Sequence, residues 1–155
     1  MSDELGVTEG LVRIRIPVER STGGLDHDTV WAEPLGSGRY RVESCPFLAY
    51  GLSRNDVIGA AAERGEEPVL EDIVEKSGNR TLRIALDAST PVERSDIQAL
   101  LGRLVDFGCT WEAARPSLVA LDLPPEVDVA RVVAHLEATK RDGVLLWEWA
   151  DPRPC

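Results

Sequence analysis

Two short stretches hold the side chains whose types and spacing could do chemistry. The first is "SCPFLAYGLSRNDVIGA", residues 44–60, which gathers a thiol, Cys45, two aromatics, Phe47 and Tyr50, and an acid, Asp56. A cysteine attacks near neutral pH only as a thiolate, so Cys45 would need a neighbouring base such as His27 to lower its pKa. Cysteine is also among the most buried residue types, and a small apolar position at a strand end is the expected role of Cys45. Cys109, which follows a helix stop and starts a strand, is expected in the core, and Cys155 is terminal.

The second stretch is Asp26-His27-Asp28, an imidazole flanked by two carboxylates. It could bind a divalent cation or use the histidine as a base. Adjacent side chains of an extended chain point apart, so a complete site would need a further ligand from elsewhere. A solvated loop is the expectation for "STGGLDHDT", by its glycines and polar residues. His135 is expected as a partly exposed helix residue. A small enzyme built on Asp26, His27, Asp28 or Cys45 is the alternative to a binding protein.

The rings are the other candidates. Trp31, Phe47, Tyr50, Trp147 and Trp149, together with Asp56, are the residues expected to meet a ligand or partner. No residue is assigned a catalytic or metal-binding role, and no cofactor is implied. Neither G-x-G-x-x-G nor G-x-x-x-x-G-K-S occurs, so a nucleotide finds no phosphate cradle.

Composition narrows the partners. The formal net charge is −10 and neither half of the chain is basic, and a uniformly acidic field repels nucleic acid and anionic lipid. A protein partner or self-association, as in a two-fold dimer, is favoured over nucleic acid, with a small molecule possible. There is no run of about eighteen apolar residues, and "MSDELGVTEGL" is acidic where a secretory leader would be basic. A soluble cytoplasmic protein is expected. Three cysteines without a C-x-x-C pair fit reduced thiols.

The elements that must position these residues are clearest in the second half. "TLRIALD" alternates Leu82, Ile84 and Leu86 with the period of a half-buried strand. "TPVERSDIQALLGRLVDFG" predicts a helix with Thr90 as N-cap, Pro91 at its first position and Glu93 completing a capping box. Its apolar stripe is Ile97, Leu100, Leu101 and Leu104, with Gly108 to end it. A hairpin turning at Pro116 follows. A second helix comes next, with Val129, Val132, Val133 and Leu136, capped by Asp128 and stopped by Gly143. "VLLWEWA" is the last strand. The order β-α-β-β-α-β implies a four-stranded antiparallel sheet with both helices on one face, the ferredoxin-like arrangement. Trp147 and Trp149 share one side of the last strand, and the face they occupy is expected to be covered by the N-terminal half or a second subunit.

The first half reads as β: a strand in "LVRIRIPV", then a hairpin in "TVWAEPLGSGRYRVES" with Gly36-Ser37-Gly38 at its tip and Tyr40 and Val42 inward. Residues 53–76 fit either a helix, with Ser53 and Asp56 as a capping box, or a hairpin turned at Gly65.

Several of these residues together resemble a bacterial family, the domain of unknown function numbered 4265, over nearly the whole chain. They are Trp31-Ala32, Gly38-Arg39-Tyr40-Arg41-Val42, Pro46-Phe47, Tyr50-Gly51 and Asp56-Val57 in the first half. In the second they are Ser77-Gly78, Thr81-Leu82-Arg83, Gly108-Cys109-Thr110-Trp111-Glu112, Pro124-Pro125 and Val127-Asp128. The resemblance implies extended structure over residues 56–76, hence the hairpin, and brings no activity or ligand. Asn55 stands where the family tends to show glycine, and asparagine too can adopt a left-handed turn. Residues 44–60 then become a barrel corner, in which Pro46 ends the strand begun at Arg39, Phe47 and Tyr50 fill the barrel mouth, and Gly51 allows the turn.

The expected protein is α+β: a disordered N-terminus at 1–10, a β-rich barrel-like subdomain at 11–78, a ferredoxin-like subdomain at 79–151 and a tail at 152–155. It would act as a non-catalytic binding module, engaging a protein partner or small molecule in the bacterial cytoplasm.

Overall fold

The structure, a computed structural model, describes residues 10–19, 25–87, 89–115, 117–140 and 145–150. The expected disorder of residues 1–9, the glycines of the Ser21–Thr29 loop, the turn at Pro116, the helix stop at Gly143 and the tail with Cys155 lie outside the described residues. The chain is mixed α and β and divides into two compact units, residues 1–77 and 78–155.

The first unit is a closed barrel of strands in the order β1-β2-β3-β4-β5. These are β1 (Val12–Glu19), β2 (Leu25–Gly36), β3 (Arg39–Val42), β4 (Val57–Ala61) and β5 (Val69–Glu75). Alternation sets which side chains turn inward. Ile14, Ile16, Val30, Ala32, Val42, Ile58 and Ala60 are buried together. The β2–β3 turn is made by Gly36, Ser37 and Gly38, all with positive φ, a backbone that glycine adopts at no steric cost. Register shifts at Val57/Ile58 and Gly59/Ala60 interrupt the β4–β5 ladder, and such bulges bend a strand as barrel closure requires. The barrel closes where β1 meets β5 in parallel, at Arg15 opposite Val69.

Residues 57–75 are thus a hairpin, not a helix. The loop expected at Asp26–Thr29 is corrected: β2 begins at Leu25, and Asp26, His27 and Asp28 face Val18, Pro17 and Ile16 of β1 in register. The cause is pairing, because β1 offers ladder partners along its whole length, and this outweighs the polar composition of its neighbour.

The second unit runs β6 (Arg80–Leu86), α1 (Ser95–Asp106), β7 (Thr110–Arg115), β8 (Leu118–Leu123), α2 (Val129–Lys140) and β9 (Leu145–Trp149). Its sheet has the order β7-β8-β6-β9, with every neighbouring pair antiparallel. Leu82, Ile84, Val119, Leu121 and Leu123 from the sheet share a buried cluster with Ile97, Leu101, Leu104, Val132 and Leu136 from the helices.

Two expectations are corrected here. Helix α1 begins at Ser95, after Arg94 in an extended conformation, and no side chain caps it. The Thr90–Arg94 segment is instead a pair of turns, with Thr90 N donating to Asp87 O and Arg94 N to Pro91 O. The tryptophans also lie on the helix-bearing face. Trp147 sits opposite Ile84 and Trp149 opposite Leu82, so both join the cluster beneath the helices. Directly opposed residues of a ladder project from the same face. The opposite face of β6 carries Thr81 and Arg83, and Asn79 at its start donates to both oxygens of Asp122.

Candidate functional site

The β3–β4 connection, residues 43–56, is built from its base upward. Val42 N donates to Asp56 O at 2.9 Å and Asn55 N to Val42 O at 2.7 Å, closing the two ends on each other. Glu43 N donates to Trp31 O, and Trp31 N returns the bond to the Ser44 hydroxyl at 2.9 Å. β3 therefore stops at Val42 and not at Pro46, because the chain turns to these local partners. Gly51 and Asn55 take φ of 90° and 70°, so Asn55 supplies the left-handed turn expected of it.

Two buried carboxylates hold the rest. Oδ2 of Asp28 accepts from Phe47 N, Leu48 N and Ala49 N at 2.8, 2.7 and 3.0 Å, and Oδ1 accepts from Thr29 N. Asp56, with no exposed surface, accepts from Ser53 N at 2.9 Å, Ser77 N at 2.8 Å and Lys76 Nζ at 2.6 Å. Lys76 Nζ also donates to Gly51 O, and Ser77 Oγ to Arg54 O. A buried charge is tolerable only with such partners. The loop then sends Ala49 and Leu52 into the barrel core.

What remains outside is a short display. Tyr50 is 61% exposed, and Phe47 and Leu48 are half-buried. The expectation that Tyr50 fills the barrel mouth is corrected, since its ring stays exposed while Ala49 and Leu52 are the loop residues that pack into the barrel core. Trp31 is half-buried, on the outward side of β2 between buried Val30 and Ala32. The structure brings Trp31, Phe47, Tyr50 and Asp56 into one unit, while Trp147 and Trp149 belong to the other.

The chemical alternatives are not assembled. Neighbours in a strand point to opposite sides, so His27 turns away from the loop that Asp28 holds and meets the Arg15 guanidinium at 2.8 Å. Cys45 is buried at 2% exposure. Cys109 is buried too, and desolvation with the nearby Asp122 charge pushes its thiol up to about 11, the opposite of nucleophile activation. Among the described residues no group of three or more His, Cys, Asp and Glu side chains could hold a metal ion, and no helix is long and apolar enough to cross a membrane.

Sequence reasoning missed Asp28 and Lys76 as the anchors of the loop. Asp56 was legible as the partner of Ser53, whose N–H it accepts although no helix follows, and as part of the family pattern. That pattern is decisive, because a model of the family "Domain of unknown function (DUF4265)" matches residues 28–147. The chain belongs to the DUF4265 family. This DUF4265 chain is also similar to a solved structure described as a novel crystal structure of a hypothetical protein from Neisseria gonorrhoeae. The identity is 14%, the TM-score 0.77, and the match covers 91% of this chain and 94% of the other. At that identity the likeness concerns the fold. No curated protein matches the chain.

Proposed function

We propose that this DUF4265 protein is a non-catalytic, cytoplasmic binding module that engages a protein partner through the loop of residues 43–56. The observation that carries the reading is Tyr50, exposed on a loop whose backbone is fixed by Asp28 and Asp56. A loop already ordered before contact avoids much of the entropic cost of binding. Tyrosine suits such a contact, having a large ring, a polar tip and few rotatable bonds. We read the second unit as a ferredoxin-like scaffold and residues 11–78 and 79–151 as the two folding units. The β-α-β-β-α-β order, the β7-β8-β6-β9 sheet and the separate core clusters support this.

The test places a photo-crosslinking benzophenone amino acid at position 50 in living cells, with the same group at Val105, 47% exposed on α1, as the control. A discrete protein adduct from position 50, absent from position 105 and weakened by Asp28→Asn, is the expected result. No adduct, or the same adducts from both positions, overturns the reading.

A further inference from the structure

On the helical side of the second unit, α1 and α2 leave an open cavity of about 260 Å³. Ile97, Ala99 and Leu100 give it an apolar wall, and Arg103, His135 and Thr139 give it polar groups. Asp96 also lines it, and both oxygens of that carboxylate accept from the Arg94 guanidinium at 2.7 Å.

Arg103 is the cation of the lining, in a chain whose net charge is −10. Arg103 lies 5.5 Å from the Phe107 ring centroid, and Arg131 of α2 lies 4.4 Å from the same ring. Among the described residues neither guanidinium has a carboxylate within ion-pair distance. Glu137, also on α2, accepts from the Trp147 indole at 2.6 Å. The His135 ring meets Phe107 edge-on, and its Nε2 is buried with no hydrogen-bond partner among the described residues. That nitrogen has no accessible surface, so a group in the cavity reaches the imidazole through its charge and not through a hydrogen bond to Nε2.

We infer that this cleft binds a small organic carboxylate, its charge on the exposed Arg103 and its apolar body along the wall at Ala99, over the buried Ile97 and Leu100. The planar guanidinium matches a carboxylate through two parallel N–H···O bonds. A single arginine in the lining suits a monoanion, and the apolar wall excludes a bare inorganic ion as the best fit. Clefts between helices with a few convergent polar groups are common ligand sites.

His135 supplies a second signal. Burial, and then the Arg103 charge, hold its imidazole below the ordinary range. The charged groups beside it are Arg103 and Asp96 of α1, which share the lining, and Arg131 of α2, which meets the same Phe107 ring; Asp96 is held by Arg94. An anion on Arg103 offsets the second cause and raises the histidine pKa.

The full-length protein is titrated with benzoate and hexanoate, and with benzamide as the neutral control, followed by amide and imidazole resonances. Saturable shifts at Ile97, Leu100, Arg103 and Thr139 with the two acids, and an upward move of the His135 titration, are expected. Arg103→Gln should weaken binding by about tenfold or more, the usual cost of losing a charged hydrogen-bond partner. The amide spectrum of that variant reports that it is folded. No saturable response to either acid overturns the inference. So does equal response to benzamide, or unchanged affinity in the variant.

Discussion

Replacing Asp28 with asparagine keeps the shape of the side chain and removes its charge. Oδ2 accepts three backbone N–H groups and Oδ1 a fourth, within a residue only 6% exposed. Hydrogen bonds to a charged group contribute about 1.5–3 kcal/mol each, and a neutral acceptor gives roughly half. If the amide oxygen keeps the Phe47, Leu48 and Ala49 donors, three bonds weaken by about 1 kcal/mol apiece. The amide nitrogen must then face Thr29 N–H, donor against donor, which adds further loss. The expected total is at least about 3 kcal/mol, a large share of a typical domain stability of about 5–15 kcal/mol. Two assays read it. Denaturant unfolding should show a lower midpoint at unchanged slope. Native-state hydrogen exchange should quicken roughly a hundredfold at Phe47, Leu48 and Ala49, since about 1.4 kcal/mol corresponds to tenfold. An unchanged midpoint together with exchange at those amides within about threefold of the parent would refute the claim that Asp28 holds the loop.

Four further outcomes follow from the structure. With its thiol pushed up to about 11, Cys109 is only about one part in a thousand thiolate at pH 8, so iodoacetamide should leave it unmodified in the folded protein and label it after denaturation, as peptide mass spectrometry would show. Gly108 has φ of 107° and a methyl there would sit 3.0 Å from Val127 Cγ2, so Gly108→Ala should lower stability by about 1–3 kcal/mol. Gly102, within α1 and with open space around it, should gain about 0.5–1 kcal/mol as alanine, and denaturant midpoints decide both. His135 has its pKa lowered in the fold by burial and by Arg103. The unfolded chain therefore binds more protons just below the ordinary histidine pKa, and stability falls as the pH drops through that range toward the folded value. Melting temperatures between pH 7.5 and pH 5.5 should decline less in His135→Gln than in the parent, and parallel declines would contradict the assignment.

Periodicity made much of the fold legible. The spacing of Ile97, Leu100, Leu101 and Leu104, and the alternation of Leu82, Ile84 and Leu86, mark buried faces that the structure contains. Gly36-Ser37-Gly38 marks a turn because three successive positive φ values are costly for other residues. The errors share a cause, which is that the deciding partner lies far away in sequence. Alternation puts Trp147 and Trp149 on one side of β9 but cannot say which side the helices cover, and pairing with Ile84 and Leu82 decides it. Asp28 looked like chemistry because its partners, Phe47 to Ala49, are 19 to 21 positions away. Lys76, 25 positions from Gly51, offered no local sign at all. Thr90 is the exception, a local one: the chain turns from Pro91 to Arg94 before the helix begins at Ser95, and the Thr90 hydroxyl accepts from the Arg94 guanidinium instead of a helix N–H.

Three consecutive N–H groups converging on one oxygen form the kind of nest that elsewhere receives a ligand anion. Here the chain fills it with its own Asp28, which is why the proposed function rests on what the loop displays and not on a captured anion. Among the described residues, cations with no carboxylate at ion-pair distance include Arg103 and Arg131 on the helices of the second unit. The two proposed sites therefore draw on different residues in different units, and this separation can be tested with variants already named. Asp28→Asn should weaken the crosslink from position 50 while leaving benzoate affinity within about twofold of the parent, because no cavity-lining residue comes from the barrel. Arg103→Gln should do the reverse. If either variant abolishes both signals while its amide spectrum remains that of a folded protein, the sites are energetically coupled, and a single ligand-regulated binding function replaces the two independent ones.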